Sequence, residues 1–226
     1  DATSNTLKAT SIETVNLALS TTATIAEATT TLTVSALNAS TIKVTGADAD
    51  PATILALGTL DTDTATVDAS SYKGVLTMTA GTGTAMTVSA NGVRANTITT
   101  STGSDTVTLI GNLGTTTQVI DALAGTLDTL NANVDNAATD LTSIAGFETI
   151  NLTVKNSTAV GVTNTVAAMT GFNAATTVNI SGGNSLSSFA NGSTGVIAVN
   201  TAATTFDAST FLGNSTLNVA AGGLNS

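Results

Sequence analysis

Two turns carry the residues best suited to chemistry. Thr102-Gly103-Ser104-Asp105-Thr106-Val107 reads G-x-D-x-apolar, and Leu123-Ala124-Gly125-Thr126-Leu127-Asp128-Thr129-Leu130 repeats it with one more residue before the acid. Glycine lets a turn tighten and expose carbonyls, and aspartate adds a carboxylate at the same place. Oxygen donors of that kind suit Ca²⁺, and the pattern is half of the glycine-rich nonapeptide whose turns hold calcium in parallel β-rolls. Neither turn has the double glycine that begins a full repeat. The same residues also read as a glycine turn followed by an ordinary strand-capping aspartate. The candidate metal residues are Gly103, Asp105, Gly125 and Asp128.

Other acids are weaker candidates. Asp48/Asp50 and Asp61/Asp63 are D-x-D pairs that can face one cation from a loop, but read first as solvated loop acids. Glu13 and Glu148 stand beside strand-like runs, where a carboxylate can accept hydrogen bonds from turn amides. Their expected role is structural. With no His and no Cys there is no His-assisted serine triad and no cysteine nucleophile. No G-x-S-x-G, phosphate loop or H-E-x-x-H is found. Carboxylate-only glycosidase chemistry lacks aromatic platforms, since aromatics are 3% of the chain. The chain reads as a non-enzyme.

Composition agrees. Across 226 residues there are five cationic side chains and a net charge of −10, which opposes nucleic-acid binding because phosphates need clustered Lys and Arg. Absent cysteine rules out disulfides and zinc–thiolate sites. It fits secreted bacterial proteins. No apolar run is long enough for a membrane-spanning helix. Threonine supplies roughly a fifth of the residues, and β-branched content this high predicts a folded chain. The missing initiator Met and signal peptide mark the sequence as a segment of a longer polypeptide.

The elements that must position the turns are short strands. From Gly74 to Leu109, apolar-and-threonine runs recur about every ten residues, with Met78, Val88 and Ile98 in equivalent places and Val107 slipped by one. Further alternating runs lie at Thr14–Leu17, Leu32–Val34, Ile42–Val44, Thr149–Leu152, Val178–Ile180, Val196–Val199 and Leu217–Val219. Such strands become stable by stacking. The expected fold is all-β, a right-handed parallel β-helix or β-roll-like solenoid, with tandem β-sandwiches as the alternative. One or two short helices are expected, at Asp50–Leu57 with its Pro51 and Gly58 stop, and over Gln118–Leu130. The T-x-T pairs Thr77/Thr79, Thr87/Ser89 and Thr97/Thr99 would form an ice-binding array if they shared one face, although two strands per coil would separate them.

A longer repeat is superimposed. SIETVNLAL (11–19) matches GFETINLTV (146–154), TIKVTG (41–46) matches TVNISG (177–182), and VDAS (67–70) matches FDAS (206–209). The offsets run from 135 to 139 residues. This predicts a β-rich module over 1–139 and a truncated second copy over 140–226, continuous with the first.

The phrases STGSDTVTLIGN, LAGTLDTLNANVD and DLTSIAGFETINLTV resemble bacterial surface (S-) layer proteins of the type I-secreted, RTX-related kind, as in Caulobacter and Campylobacter. The resemblance implies an extracellular, structural segment of a self-assembling, Ca²⁺-dependent lattice on the bacterial cell surface. Its partners would be copies of itself, with cell-surface polysaccharide bound through a region outside this sequence. The calcium role would fall on Gly103, Asp105, Gly125 and Asp128. The alternative is the stalk or ligand-binding segment of a large secreted RTX adhesin.

Overall fold

A computed structural model describes residues 7–9, 12–19, 31–37, 39–46, 53–83, 85–113, 117–134, 139–140, 143–154, 166–167, 177–182, 196–201, 205–207 and 216–221. In chain order the strands are β1 (Leu7–Ala9), β2 (Thr14–Ala18), β3 (Thr31–Leu37), β4 (Thr41–Gly46), β5 (Ile54–Thr59), β6 (Thr66–Tyr72), β7 (Val75–Thr79), β8 (Thr87–Asn91), β9 (Thr97–Thr99) and β10 (Thr106–Leu113). They continue as β11 (Val119–Asp121), β12 (Thr129–Val134), β13 (Thr139–Asp140), β14 (Ile144–Ala145), β15 (Thr149–Val154), β16 (Val166–Ala167), β17 (Thr177–Gly182), β18 (Val196–Thr201), β19 (Thr205–Asp207) and β20 (Thr216–Ala221).

Strands β2, β4, β6, β8, β10, β12, β15, β17 and β19 form one nine-stranded sheet, and β1, β3, β5, β7, β9, β11 and β14 form a seven-stranded one. Two further parallel pairs are β13–β16 and β18–β20. Each pairing within the two large sheets is parallel, and from β1 to β12 the chain alternates strand by strand between them, so that each link between neighbours in one passes through a strand of the other. That is a parallel β-solenoid. Tandem sandwiches would show antiparallel hairpins instead.

Period-two alternation builds the core. On the nine-stranded sheet Val15, Ile42, Val67, Val88, Val107, Leu130 and Ile150 fall in one register column and all are buried. Facing them, Met78, Ile98, Ile120 and Ile144 form the corresponding column of the other sheet, also buried. The ten-residue rhythm is therefore half a coil. Met78 and Ile98 are partners in one sheet while Val88 and Val107 are partners in the other.

Both helix expectations are corrected. Ile54–Thr59 is strand β5, with Leu55 and Leu57 fully buried and pairing to β3 and β7. Tertiary pairing overrides a weak local preference here. Asp48 and residues 50–52 lie outside the described residues. Residues 118–130 hold β11, a turn and the start of β12, with Leu123 at φ 56°. No helix among the described residues is long and apolar enough to cross a membrane.

The matched phrases of the long repeat occupy common columns. Thr14 and Thr149, Thr41 and Thr177, and Val67 and Phe206 each take the same register position in the nine-stranded sheet. That sheet runs across residue 139 through the pairing of β12 with β15.

Candidate functional site

Among the described residues, the residue before a strand of the nine-stranded sheet sits at a corner of the coil. There, Met86, Asp105, Asp128 and Glu148 stand on successive coils. Backbone amides at a corner leave the regular ladder and need other acceptors. Side-chain oxygens from the next coil supply them. Asp105 Oδ1 accepts the Met86 N–H at 2.7 Å, Asp128 Oδ1 accepts the Asp105 N–H at 2.7 Å, and Glu148 Oε2 accepts the Asp128 N–H at 2.8 Å. Carboxylate-to-amide bonds of this length are charge-assisted.

The two aspartates are not equivalent. Asp105 is fully buried, and both its oxygens accept from the Ser101 hydroxyl, at 2.9 and 3.0 Å, in addition to the Met86 amide. Ser101 is held in turn by the Gly103 N–H, which donates to its Oγ at 2.9 Å. Asp128 is equally buried, but its Oδ2 has no hydrogen-bond partner. Burial pushes the Asp128 carboxyl up from its ordinary value, and the charges of Glu148 and Asp105 push the same way against the lowering effect of the Asp105 amide.

Gly125 closes the junction. A Cβ there would lie 2.2 Å from Asp128 Oδ2, 2.6 Å from Asp128 Oδ1 and 2.3 Å from the Gly103 carbonyl oxygen. Only a hydrogen fits. Gly103, Asp105, Gly125 and Asp128 are thus brought together by two adjacent coils, as the paired turns require. The carboxylates are turned onto backbone amides, and the spot where carboxylate and carbonyl oxygens converge is taken by Gly125 itself. Among the described residues no three acidic side chains gather around one point.

The opposite corner uses the same device with neutral groups. Asn96 Oδ1 accepts the Leu76 N–H at 3.0 Å, and Gln118 Oε1 accepts the Asn96 N–H at 3.3 Å. Asn96 Nδ2 donates back to the Asn91 and Arg94 carbonyls, and Gln118 Nε2 to the Gly92 carbonyl. Both amides are buried.

The outward columns are polar and short. Thr14, Thr41, Thr66, Thr87, Thr106, Thr129, Thr149, Thr177 and Thr205 occupy one register position in every strand of the nine-stranded sheet. Two positions on, Asn179 Nδ2 donates to Asn151 Oδ1 at 2.7 Å, Asn151 Nδ2 to Asn131 Oδ1 at 2.8 Å, and Asn131 Nδ2 to Thr108 Oγ1 at 3.2 Å. In that column too, the Ser70 hydroxyl, ahead of Lys43, holds the Asp68 carboxyl below its ordinary value. The T-x-T pairs do not share a face, because Thr87/Ser89 lie in one sheet and Thr77/Thr79 and Thr97/Thr99 in the other. Asp61 accepts the Asp63 N–H at 3.1 Å and shapes its own turn. Glu148 accepts an amide, as its position beside a strand implies.

The carboxyl ladder and the threonine column both went unread in the sequence. One phrase carries them: acid, threonine, aliphatic, polar, aliphatic at residues 13–17, 105–109, 128–132 and 148–152. Comparison at the scale of one coil, rather than of 135 residues, finds it. The chain matches no family model, and no curated protein or solved structure is significantly similar to it.

Proposed function

We propose that the chain is a structural segment of a bacterial surface layer, exported to the cell surface and assembling laterally with copies of itself. It does no catalysis. The observation that carries this reading is the column architecture: an aliphatic interior, polar ladders at the corners, and outward columns of Thr and Asn. Such a rod gains stability coil by coil and presents long flat faces for repeated lateral contacts. The resemblance of the S-T-G-S-D-T-V-T-L and G-F-E-T-I-N-L phrases to surface-layer proteins supports the same reading. Calcium dependence of the lattice belongs to the proposal, with Gly103, Asp105, Gly125 and Asp128 as its candidate residues.

Negative-stain microscopy of the purified chain, with and without added Ca²⁺, tests it. Ordered two-dimensional sheets are expected when Ca²⁺ is present. Monodisperse rods that bind cells or glycans would instead support the adhesin reading. If neither order nor melting temperature responds to Ca²⁺, the calcium part of the proposal falls.

A further inference from the structure

Among the described residues the two corners of the solenoid differ in charge. Lys73, exposed, and Arg94 stand on successive coils at the corner that leads from the nine-stranded sheet into the seven-stranded one. The Arg94 Nε–H donates to the Lys73 carbonyl at 2.7 Å and ties those coils together. Lys43 is placed elsewhere, out on the nine-stranded sheet with Asp68 as its register partner. Asp61 and the exposed Asp63 stand at the other corner, in the turn between β5 and β6. Each corner also carries exposed aliphatic residues. Val93 and Ile110 lie at the cationic corner, where the Gly92 N–H donates to the Ile110 carbonyl at 2.7 Å. Leu123 and Leu127 lie at the acidic one, Leu127 with 72% of its surface exposed.

Along the axis both corners run in the same order, charge first and aliphatic residues after. Lys73 to Ile110 is two coils, from β6 through β8 to β10. Asp63 to Leu123 is three, through the pairings of β5 with β7, β7 with β9 and β9 with β11. Asp63 precedes Lys73 by half a coil, and Leu123 follows Ile110 by half a coil. Charged groups and aliphatic groups are therefore each level across the rod to about 2–3 Å, half the spacing of adjacent strands.

We propose that these corners are the two sides of one lateral contact between copies of this chain. Neighbouring rods lie parallel and level, with Lys73 and Arg94 of one against Asp61 and Asp63 of the next, and Val93 and Ile110 against Leu123 and Leu127. The inference rests on the surface-layer reading, for which it names the contact. Antiparallel rods would set charge against aliphatic surface. A small anion would use Lys73 and Arg94 alone and leave the acidic corner idle, whereas a second copy uses both. Because the two sides are different surfaces, the contact does not close on itself and repeats into a row. The exposed charges contribute little affinity and chiefly set the register, while the aliphatic residues supply the burial.

Charge reversal is the direct test. Lys73→Glu and Asp63→Lys each set like charges across the contact, and a chain carrying both restores opposite charges between copies. Both side chains are exposed, so melting curves should match wild type. Sedimentation velocity and negative-stain microscopy, with and without Ca²⁺, would compare the four chains. Each single variant should associate about tenfold more weakly than wild type, and the double variant should recover wild-type association. Leu127→Ser should weaken association without lowering the melting temperature. Sheets formed equally well by both single variants would overturn the corner contact and leave the surface-layer reading in place. Single variants that weaken association with no recovery in the double would also overturn it, since the two residues would then not face each other. A wild type that stays monomeric in both conditions would overturn the surface-layer reading, and the contact with it.

Discussion

The backbone N–H of Asp105 and the side chain of Asp128, 23 residues apart in the chain, meet at 2.7 Å at one corner of the solenoid. The contact is a link in a series, for Asp105 and Glu148 do the same for Met86 and Asp128. Each acid ties its own coil to the one before. The corner, where a parallel ladder runs out of backbone acceptors, is where such links are needed.

Removing a link should be costly. Asp105→Ala leaves the buried Met86 amide without its acceptor, a loss of about 2–3 kcal/mol. Urea denaturation should show a lower midpoint with an unchanged slope. Asp61→Ala, in a surface turn, should stay within about 0.5 kcal/mol of wild type.

Gly125 is required by contact and not by backbone conformation. Gly125→Ala would drive a methyl into the Gly103 carbonyl and the Asp128 carboxyl, costing about 3 kcal/mol. Gly83 offers the opposite case: its φ is +92° and no atom lies near its absent Cβ, so Gly83→Ala costs only about 1–2 kcal/mol of backbone strain. Comparative melting of the two variants checks the order.

Tyr72, the sole tyrosine, is buried and donates its hydroxyl to the Thr53 carbonyl at 3.0 Å. Burial pushes its phenol from 10.0 to about 12. The fold therefore holds the neutral form. Its stabilisation is complete below pH 10.0, is lost as pH rises from there to about 12, and stays lost beyond. Ultraviolet titration should show late ionisation, and Tyr72→Phe should remove this alkaline decline.

The asparagine column should behave as a coupled chain. Asn131→Ala and Asn151→Ala each break the 2.8 Å bond between them, so the double variant should lose less than the sum of the singles. A double-mutant cycle should return a coupling of about 0.5–1 kcal/mol.

Alternation of apolar and short polar residues was sufficient to find β2, β4, β15, β17, β18 and β20, because a strand's two faces are written into nearest-neighbour order. The paired turns at Gly103–Asp105 and Gly125–Asp128 were equally legible as positions. Their chemistry was not. Residue type points to calcium; that Oδ1 of each aspartate accepts an amide of the adjacent coil is set by the tertiary structure.

By itself, then, the sequence determined that the chain is stacked short strands, and which side chains of the alternating runs point inward. Only the tertiary structure decided that residues 54–59 form a strand instead of a helix, which ten-residue runs share a sheet, and that Asp105 and Asp128 differ. The reason is range. Side-chain alternation is local, but hydrogen-bond partners and dryness at a corner come from residues about one coil away, and these decide whether a carboxyl meets donors or another acceptor.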